Sequence, residues 1–416
     1  MATESMTTAT ENRTRTNRVV QPSIYTAALC MKRFFIGQLC FLATAGTSAQ
    51  TTLTVDSALA AALRFHPSLK ESNAAATEQR QLQATAFELH NPEVAMEVPP
   101  SEYAWRVSQE FDFPTTYISR FKLSKANTNL ADKQVAVTQA ELKQQVRDAY
   151  LDLQLAQARL RLINQQDSLL AIVANATQRR HEAGDVGLLE KLNAENAYQS
   201  KHIELLSAQA DLQNFSQQLA FLTGRSVTDA IQVDSLVPID NNFATTTLSQ
   251  SPWVNWAIQN NAVAKQGWKT ERSTLFPGFV VGYLQGTSDA PSRMELGVTL
   301  PIWFWSYNAR IKAARSRFQQ SEYRLQQTML QQQSAQQNLT AELLKQTATL
   351  RYYESTALPQ ADILQDAATR AYNAGEIGYV EFLRNIQTAF DNRLRRIETV
   401  RAYNEAVIQL QILFGL

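Results

Sequence analysis

The chain has 416 residues, 39 basic and 38 acidic, and only 13 glycines and 12 prolines interrupt a composition rich in Gln, Ala, Leu and charged residues, the types that favour helix. So few breaks predict few, long elements, and the near-neutral balance gives no electrostatic footprint for a nucleic-acid partner. The two cysteines, Cys30 and Cys40, fall in a stretch expected to be lost, which leaves no thiol chemistry and no disulfide.

Residues 31–49 read as a secretory signal peptide: Lys32 and Arg33 form its charged start, 34–45 its apolar stretch, and Thr47-Ser48-Ala49 its small-residue cleavage site. The twelve apolar residues fall short of the ~20 a spanning helix needs. Residues 1–30, polar and without pattern, read as an over-long gene start. Leu29 and Leu39 precede the cysteines in place of the small residues that lipid attachment requires. Removing 1–49 takes away five basic and two acidic residues, leaving 34 against 36 and a net charge of −2.

The remainder is duplicated. Pro67 and Pro92 recur as Pro252 and Pro277 at an offset of 185, and Pro114 recurs as Pro301 at 187. Ala183-Gly184-Asp185-Val186-Gly187-Leu188-Leu189-Glu190 recurs as Ala374-Gly375-Glu376-Ile377-Gly378-Tyr379-Val380-Glu381 at 191, as does Leu222-Thr223-Gly224 in Leu413-Phe414-Gly415. The drifting offset places two added residues between Pro92 and Pro114 and four in the following helix. The expected organisation is a first repeat over 50–225, a linker over 226–250 and a second repeat over 251–416.

Within the first repeat, 67–89 predicts a helix of about 34 Å. Between Pro92 and Pro114 the period becomes two: Val94, Met96 and Val98 alternate with Glu93, Ala95 and Glu97, and Tyr103, Trp105, Val107 and Phe111 with Ala104, Arg106, Ser108 and Glu110, joined through Pro99-Pro100-Ser101 as a hairpin. The 69 residues of 115–183 contain neither Gly nor Pro and would make one helix of roughly 100 Å. Leu142, Ala149, Ala156, Ile163 and Leu170 recur every seven residues, with Val146, Leu153 and Leu160 between them, a coiled-coil seam. After the Gly184–Gly187 turn, Leu205, Ala208, Leu212, Phe215, Leu219 and Leu222 predict a returning antiparallel helix over 188–223 of about 54 Å. That covers half of the long helix, and the helix from Pro67 would stack end to end with it to cover the rest.

In the second repeat Met294, Leu296, Val298 and Leu300 alternate with Arg293, Glu295, Gly297 and Thr299, preceded by a strand over 279–284, and 302–358 is again free of Gly and Pro. The strands thus have one apolar face, ending in the aromatics Tyr103, Trp105, Trp303, Phe304 and Trp305, and one face charged with both signs. That is the pattern of a transmembrane barrel with a wet lumen and aromatic belts. Four strands cannot enclose water, and an open edge is not tolerated in lipid, so several chains must contribute.

Together these segments resemble the TolC-type outer-membrane factors, the exit ducts of tripartite efflux pumps. The resemblance runs from Leu53-Thr54-Val55-Asp56-Ser57-Ala58-Leu59 and His66-Pro67 to Gly415. It implies a mainly α homotrimer in which four strands per chain build a twelve-stranded outer-membrane barrel, continued by a periplasmic helical tunnel. It also implies a periplasmic adaptor and an inner-membrane pump, of the RND type, as partners. Asn91-Pro92-Glu93-Val94 and 105–114 are closest to the CzcC-like, heavy-metal branch.

By the same resemblance the tips, Gly184, Val186, Gly187, Leu188 and Leu189 with Gly375, Ile377, Gly378, Tyr379 and Val380, expose apolar residues to the adaptor. Glu190 and Glu381 would line the periplasmic gate, although Glu beside a helix N-terminus is also stabilising in its own right. Where the family often has a second carboxylate this chain has Arg384, which suggests an ion-paired layer. His66, His90, His181 and His202 are scattered, so no metal site, cofactor or catalytic group is expected. The competing reading, a periplasmic coiled-coil adaptor, requires a single hairpin within a lipoyl-like domain and does not account for two hairpins and four amphipathic strands.

Overall fold

The computed structural model describes residues 53–97, 104–225, 233–240, 248–286, 288 and 291–415. The expected gene start (1–30), the leader (31–49), Val98, the Pro99-Pro100-Ser101 turn, Tyr103 and parts of the 226–250 linker lie outside the described residues.

The first copy contains α1 (Val55–Phe65), α2 (Pro67–Leu82), a 3-10 turn (Gln83–Phe87), strands β1 (Glu93–Glu97) and β2 (Ala104–Phe111), α3 (Pro114–Glu182) and α4 (Leu188–Thr223). The second contains α5 (Pro252–Ser273), β3 (Gly278–Leu284), β4 (Arg293–Thr299), α6 (Phe304–Tyr352), a π turn (Tyr353–Ala357), α7 (Leu358–Asn373) and α8 (Tyr379–Leu413). The helix expected over 67–89 ends at Leu82 and tightens, with the Thr85 hydroxyl donating to the Leu82 carbonyl at 2.7 Å.

With no glycine or proline beyond its first turn, α3 runs unbroken for 69 residues. Its heptad residues Leu142, Val146, Ala149, Leu153, Ala156, Ile163 and Leu170 are buried, and Ile163 packs against Leu205 and Ala208 of α4. A second stripe, Ala140, Leu151, Leu162 and Val173, recurs every eleven residues. Ala140 and Leu151 meet Ile408 and Ile412 of α8, while Leu162 and Val173 join the cluster built on Phe382 and Ile386. A seven-residue and an eleven-residue period advance differently around a 3.6-residue helix, so one helix serves two partners along its length.

The long run of the second copy differs. α6 passes into the π turn and then into α7, whose Pro359 has no N–H to give to the preceding turn, and the continuous run widens at that point. The four residues expected as additions to this helix divide differently: the run from Phe304 to Asn373 has 70 residues against 69 in α3, three more (301–303) precede Phe304, and the π turn absorbs the single added residue without breaking the helix.

End-to-end stacking occurs in both copies. Gly224 closes α4 with φ 67°, and a Cβ there would lie 2.3 Å from the Phe65 ring that precedes α2. Gly415, φ 78°, lies where a Cβ would come 2.8 Å from the Gln250 carbonyl, just before α5. Glycine is required at both junctions by backbone conformation and by space. The described part of the linker packs rather than merely spanning: Val233 is buried and bridges Leu53 in parallel. The Ile239 N–H donates to Asn404 Oδ1 at 2.9 Å, and Asn404 Nδ2 donates to the Val237 carbonyl at 2.7 Å.

The two hairpins merge into one antiparallel sheet in the order β1-β2-β3-β4, so β2 and β3, from different copies, pair at its centre. The registers Val94↔Val107, Met96↔Trp105, Phe111↔Phe279, Val281↔Leu296 and Tyr283↔Met294 gather the apolar side chains on one face, which includes Gln109 as its polar exception. Leu296 is 81% exposed. The opposite face holds Arg106 and Glu295, paired at 3.4 Å, with Gly278, Gly282 and Gly297 keeping it shallow. Strands β1 and β4 are left as edges.

Candidate functional site: the paired glycine turns and the hairpin contact

Each long hairpin closes by the same pair of bonds. At the first tip the Ala183 N–H donates to the Arg179 carbonyl at 3.0 Å and the Asp185 N–H reaches back to Arg180 at 2.8 Å across Gly184, whose φ is 87°. At the second, Ala374 donates to Arg370 and Glu376 to Ala371, both at 2.9 Å, across Gly375 with φ 75°. Space is open around all four tip glycines, so Gly184 and Gly375 are demanded by left-handed backbone alone. Gly187 and Gly378 cap α4 and α8 with ordinary φ of −75° and −78°. Neither conformation nor packing within the chain requires glycine there.

The tips differ in what they present. Leu188, Leu189 and Val380 are 56%, 77% and 69% exposed, while Val186 and Ile377 are half-buried. Tyr379, expected with the exposed set, is 2% exposed and is a correction to that expectation. It turns inward because the second hairpin packs on the first. Its hydroxyl donates to the Asn193 carbonyl of α4 at 3.5 Å, and burial, with Tyr372 and Glu190 nearby, raises its pKa to about 12.

Around Tyr379 lies a contact between the hairpins that sequence reasoning missed. Tyr372 stacks on Phe382 with centroids 4.7 Å apart and shares a buried hydrogen bond of 3.3 Å with the Thr177 hydroxyl of α3. Leu162, Val173 and Ala194 of the first copy complete the cluster with Ala368, Ile386 and Phe390 of the second. Arg180 lies 5.9 Å from the Tyr372 ring centre. The aromatic density of 372–390, unmatched in the first copy, was the available signal.

Glu190 is half-buried in the first turn of α4; Glu381 and Arg384 are exposed in the first turns of α8. Neither Glu381 nor Arg384 makes an ion pair among the described residues. Further up the α3–α8 contact, Arg401 binds Asp152 at 2.9 Å and also Glu405. Beside it the Asp148 carboxyl is pushed up to about 6, by burial first and then by Glu405 and Asp152.

The expected aromatic belts fall at opposite ends of the sheet. Trp105 lies near the hairpin end of β2, paired with Met96, and Trp303, Phe304 and Trp305 follow β4 at the helical end, each about 60% exposed. Trp303 and Phe304 pack edge-on against Trp305 at 5.1 and 5.4 Å. Three of the four histidines serve local structure: His66 Nδ1 meets the Ser68 hydroxyl at 2.7 Å, His181 Nδ1 donates to the Val186 carbonyl at 2.9 Å, and His202 lies 3.3 Å from Asp167. Among the described residues no group of three or more His, Cys, Asp or Glu could hold a metal ion, and no helix is long and apolar enough to cross a membrane.

Comparison with known proteins accounts for this arrangement. The family model described as outer membrane efflux protein matches residues 100–225 and 244–416. The cobalt-zinc-cadmium resistance protein CzcC of Cupriavidus metallidurans is 22% identical over 379 residues, covering 88% of this chain and 90% of the relative. Among solved structures, the Campylobacter jejuni CmeC outer membrane channel superposes with a TM-score of 0.75 at 14% identity, covering 87% of this chain and 85% of that one. The outer membrane protein VceC of Vibrio cholerae gives 0.74 at 14% identity, covering 87% and 96%. The chain therefore belongs to the outer membrane efflux protein family, and its fold is that of the outer membrane channels, strands in the membrane and helical tunnel in the periplasm.

Proposed function

We propose that three copies of this chain form a passive exit duct, each contributing four strands to a twelve-stranded barrel, fed by an inner-membrane pump of the RND type through a periplasmic adaptor. The observation that carries this reading is the open sheet. Its apolar face is exposed on all four strands, its other face is charged with both signs, and its edges β1 and β4 are unpaired among the described residues. In lipid such edges must be closed, and closure from identical chains gives a ring with a polar lumen. The two repeats, 50–225 and 251–416, joined by 226–250, then supply equivalent hairpins to one tunnel, and no catalytic step is assigned to either.

The tips are the adaptor-facing end in this reading. Leu188, Leu189 and Val380 supply exposed apolar surface, and Gly187 and Gly378, unexplained by the chain's own packing, allow another backbone to approach closely. Glu381 and Arg384 form the gate layer. The similarity to CzcC favours divalent metal cations as the cargo, selected by the pump, since the chain offers no metal cluster of its own among the described residues.

The test is to purify the full chain from outer membranes, weigh it by native mass spectrometry and record it in planar bilayers. A three-chain assembly with single-channel conductance is expected; recovery only as a soluble periplasmic monomer refutes the duct. Leu189→Asp should abolish crosslinking to the co-expressed adaptor while leaving conductance intact, and undiminished crosslinking removes the tip assignment.

A further inference from the structure

Where the sheet meets the helices the chain carries two grooves that a conduction path does not use. One, of about 620 Å3, has Phe111 and Phe279 at the sheet end and Phe87, Leu89 and Ile118 along its length. Phe87, Leu89, Ile118 and Phe279 are all exposed. The other, of about 450 Å3, lies between α3 and α5, with Thr115 and Ser119 on one side and Lys269 and Arg272 on the other. Phe113 joins them: its ring is 5.0 Å from Phe276 of the polar groove and 6.1 Å from Phe279 of the apolar one.

Their position narrows what could fill them. Phe111 and Phe279 are register partners on the apolar face of β2 and β3, the central strands. Below the sheet α3 packs on α5, with α2 beyond α3 and α6 beyond α5. The polar groove thus lies between the two central helices, and the apolar one between α3 and the 3-10 turn that leads toward edge strand β1, both formed within one chain's own row of elements. Cargo in a polar lumen meets the opposite face of the sheet. The apolar face belongs to the lipid interface of an outer membrane channel, and its helical end lies in the periplasm-facing leaflet.

The charged side chains lining the polar groove among the described residues are both cations, Lys269 and Arg272. Lys269 and Arg272 are exposed, and the Arg272 guanidinium rests 5.5 Å from the Trp268 ring centre, held at the groove by a cation–π contact. Asp112, the carboxylate beside the apolar groove, is neutralised by Arg120 at 2.7 Å. A basic pair set beside an apolar channel matches a phosphate attached to an acyl chain.

We propose that the two grooves together hold one anionic glycerophospholipid of the periplasm-facing leaflet, its acyl chain along Phe87, Ile118 and Phe279 and its phosphate between Lys269 and Arg272. The inference rests on the membrane placement of the channel and adds to it a specific lipid seat at the joint between barrel and tunnel. Zwitterionic lipid carries the same phosphate, but its ammonium offsets the attraction to the two cations.

Native mass spectrometry of the detergent-purified channel, titrated with dioleoylphosphatidylglycerol or dioleoylphosphatidylcholine, tests this. The wild type should retain the phosphatidylglycerol preferentially. The double variant Lys269→Gln, Arg272→Gln should weaken that retention about 30-fold, roughly fivefold per basic residue near an anionic headgroup. Ile118→Ser should weaken both lipids, with assembly mass and conductance unchanged. Equal retention of the two lipids by the wild type, or undiminished retention by the double variant, overturns the proposal. So does displacement of the lipid by inorganic phosphate, which would mark a bare anion site. Failure of the wild type to conduct would instead remove the channel reading.

Discussion

The contact between hairpins should control how firmly the periplasmic entrance is held, and Phe382→Ala tests it. Phe382 is fully buried, stacked on Tyr372 and packed within the cluster that joins α7 and α8 to α3. Truncating a buried Phe costs about 3–5 kcal/mol, and at about 1.4 kcal/mol per decade this shifts the joined-to-parted equilibrium by at most roughly two to three and a half decades, the stack on Tyr372 being internal to the second hairpin. Tyr372→Phe is the graded control. It removes only the bond to Thr177, whose hydroxyl keeps its bond to the Val173 carbonyl at 2.9 Å, so the cost is about 0.5–1 kcal/mol. Spin labels on cysteines placed at Glu182 and Asn373, exposed beside the two tips, report the separation by pulsed electron resonance. Phe382→Ala should broaden and lengthen the distance distribution and raise single-channel conductance, with Tyr372→Phe close to wild type. A Phe382→Ala distribution as narrow as the wild type, or a larger effect from Tyr372→Phe, would refute the reasoning.

Three further outcomes are expected. Replacing both Glu381 and Arg384 by Ala should raise conductance at the entrance, and replacing Glu381 alone should shift selectivity toward anions, both read from reversal potentials in a salt gradient. Gly224→Ala should lower the melting temperature far more than Gly184→Ala: both pay about 1 kcal/mol for left-handed backbone, but only at Gly224 does the new Cβ collide with Phe65. Asp148 has a carboxyl pushed up to about 6, above its ordinary value of 3.8, so the folded state holds its proton more tightly and loses that advantage as pH rises from about 4 through 6. Asp148→Asn should therefore stabilise the protein at pH 8, by about 1 kcal/mol after solvent screening of a half-exposed site, and show a shrinking gain as pH falls to 4 in thermal melts. An equal gain at both values would sink the assignment.

What the sequence made legible was whatever repeats locally. The heptads of α3, the period-two strands and the glycine turns each reflect one element's geometry, and residues such as Leu153, Leu296 and Gly184 occupy the places their spacing predicts. Less legible was anything joining the two copies. The pairing of β2 with β3 leaves no local mark, because alternation fixes a strand's faces but not its neighbour. The eleven-residue stripe of Ala140, Leu151, Leu162 and Val173 was present but faces α8, more than 200 residues away in sequence. Tyr379 was misjudged for the same reason: an apolar residue beside a tip glycine is exposed unless a second hairpin covers it.

The equivalent positions of the two copies, compared pair by pair, give the tips distinct duties. Leu188 and Tyr379 correspond, yet one is 56% exposed and the other 2%. His181 corresponds to Tyr372: the imidazole bonds its own turn at Val186, whereas the phenol reaches across to Thr177. Asn193 corresponds to Arg384, and it is the Asn193 carbonyl that receives the Tyr379 hydroxyl. His181 thus completes its own hairpin, whereas Tyr372 and Tyr379 of the second grip the first. A hairpin closed on itself survives separation unchanged, whereas one whose tyrosines are satisfied only across the contact loses those bonds when it parts. If the tips are the entrance as proposed, the free energy of opening is concentrated in the second copy, which also carries Glu381 and Arg384, without an ion pair among the described residues, and substitutions there should move the entrance more than their counterparts in the first.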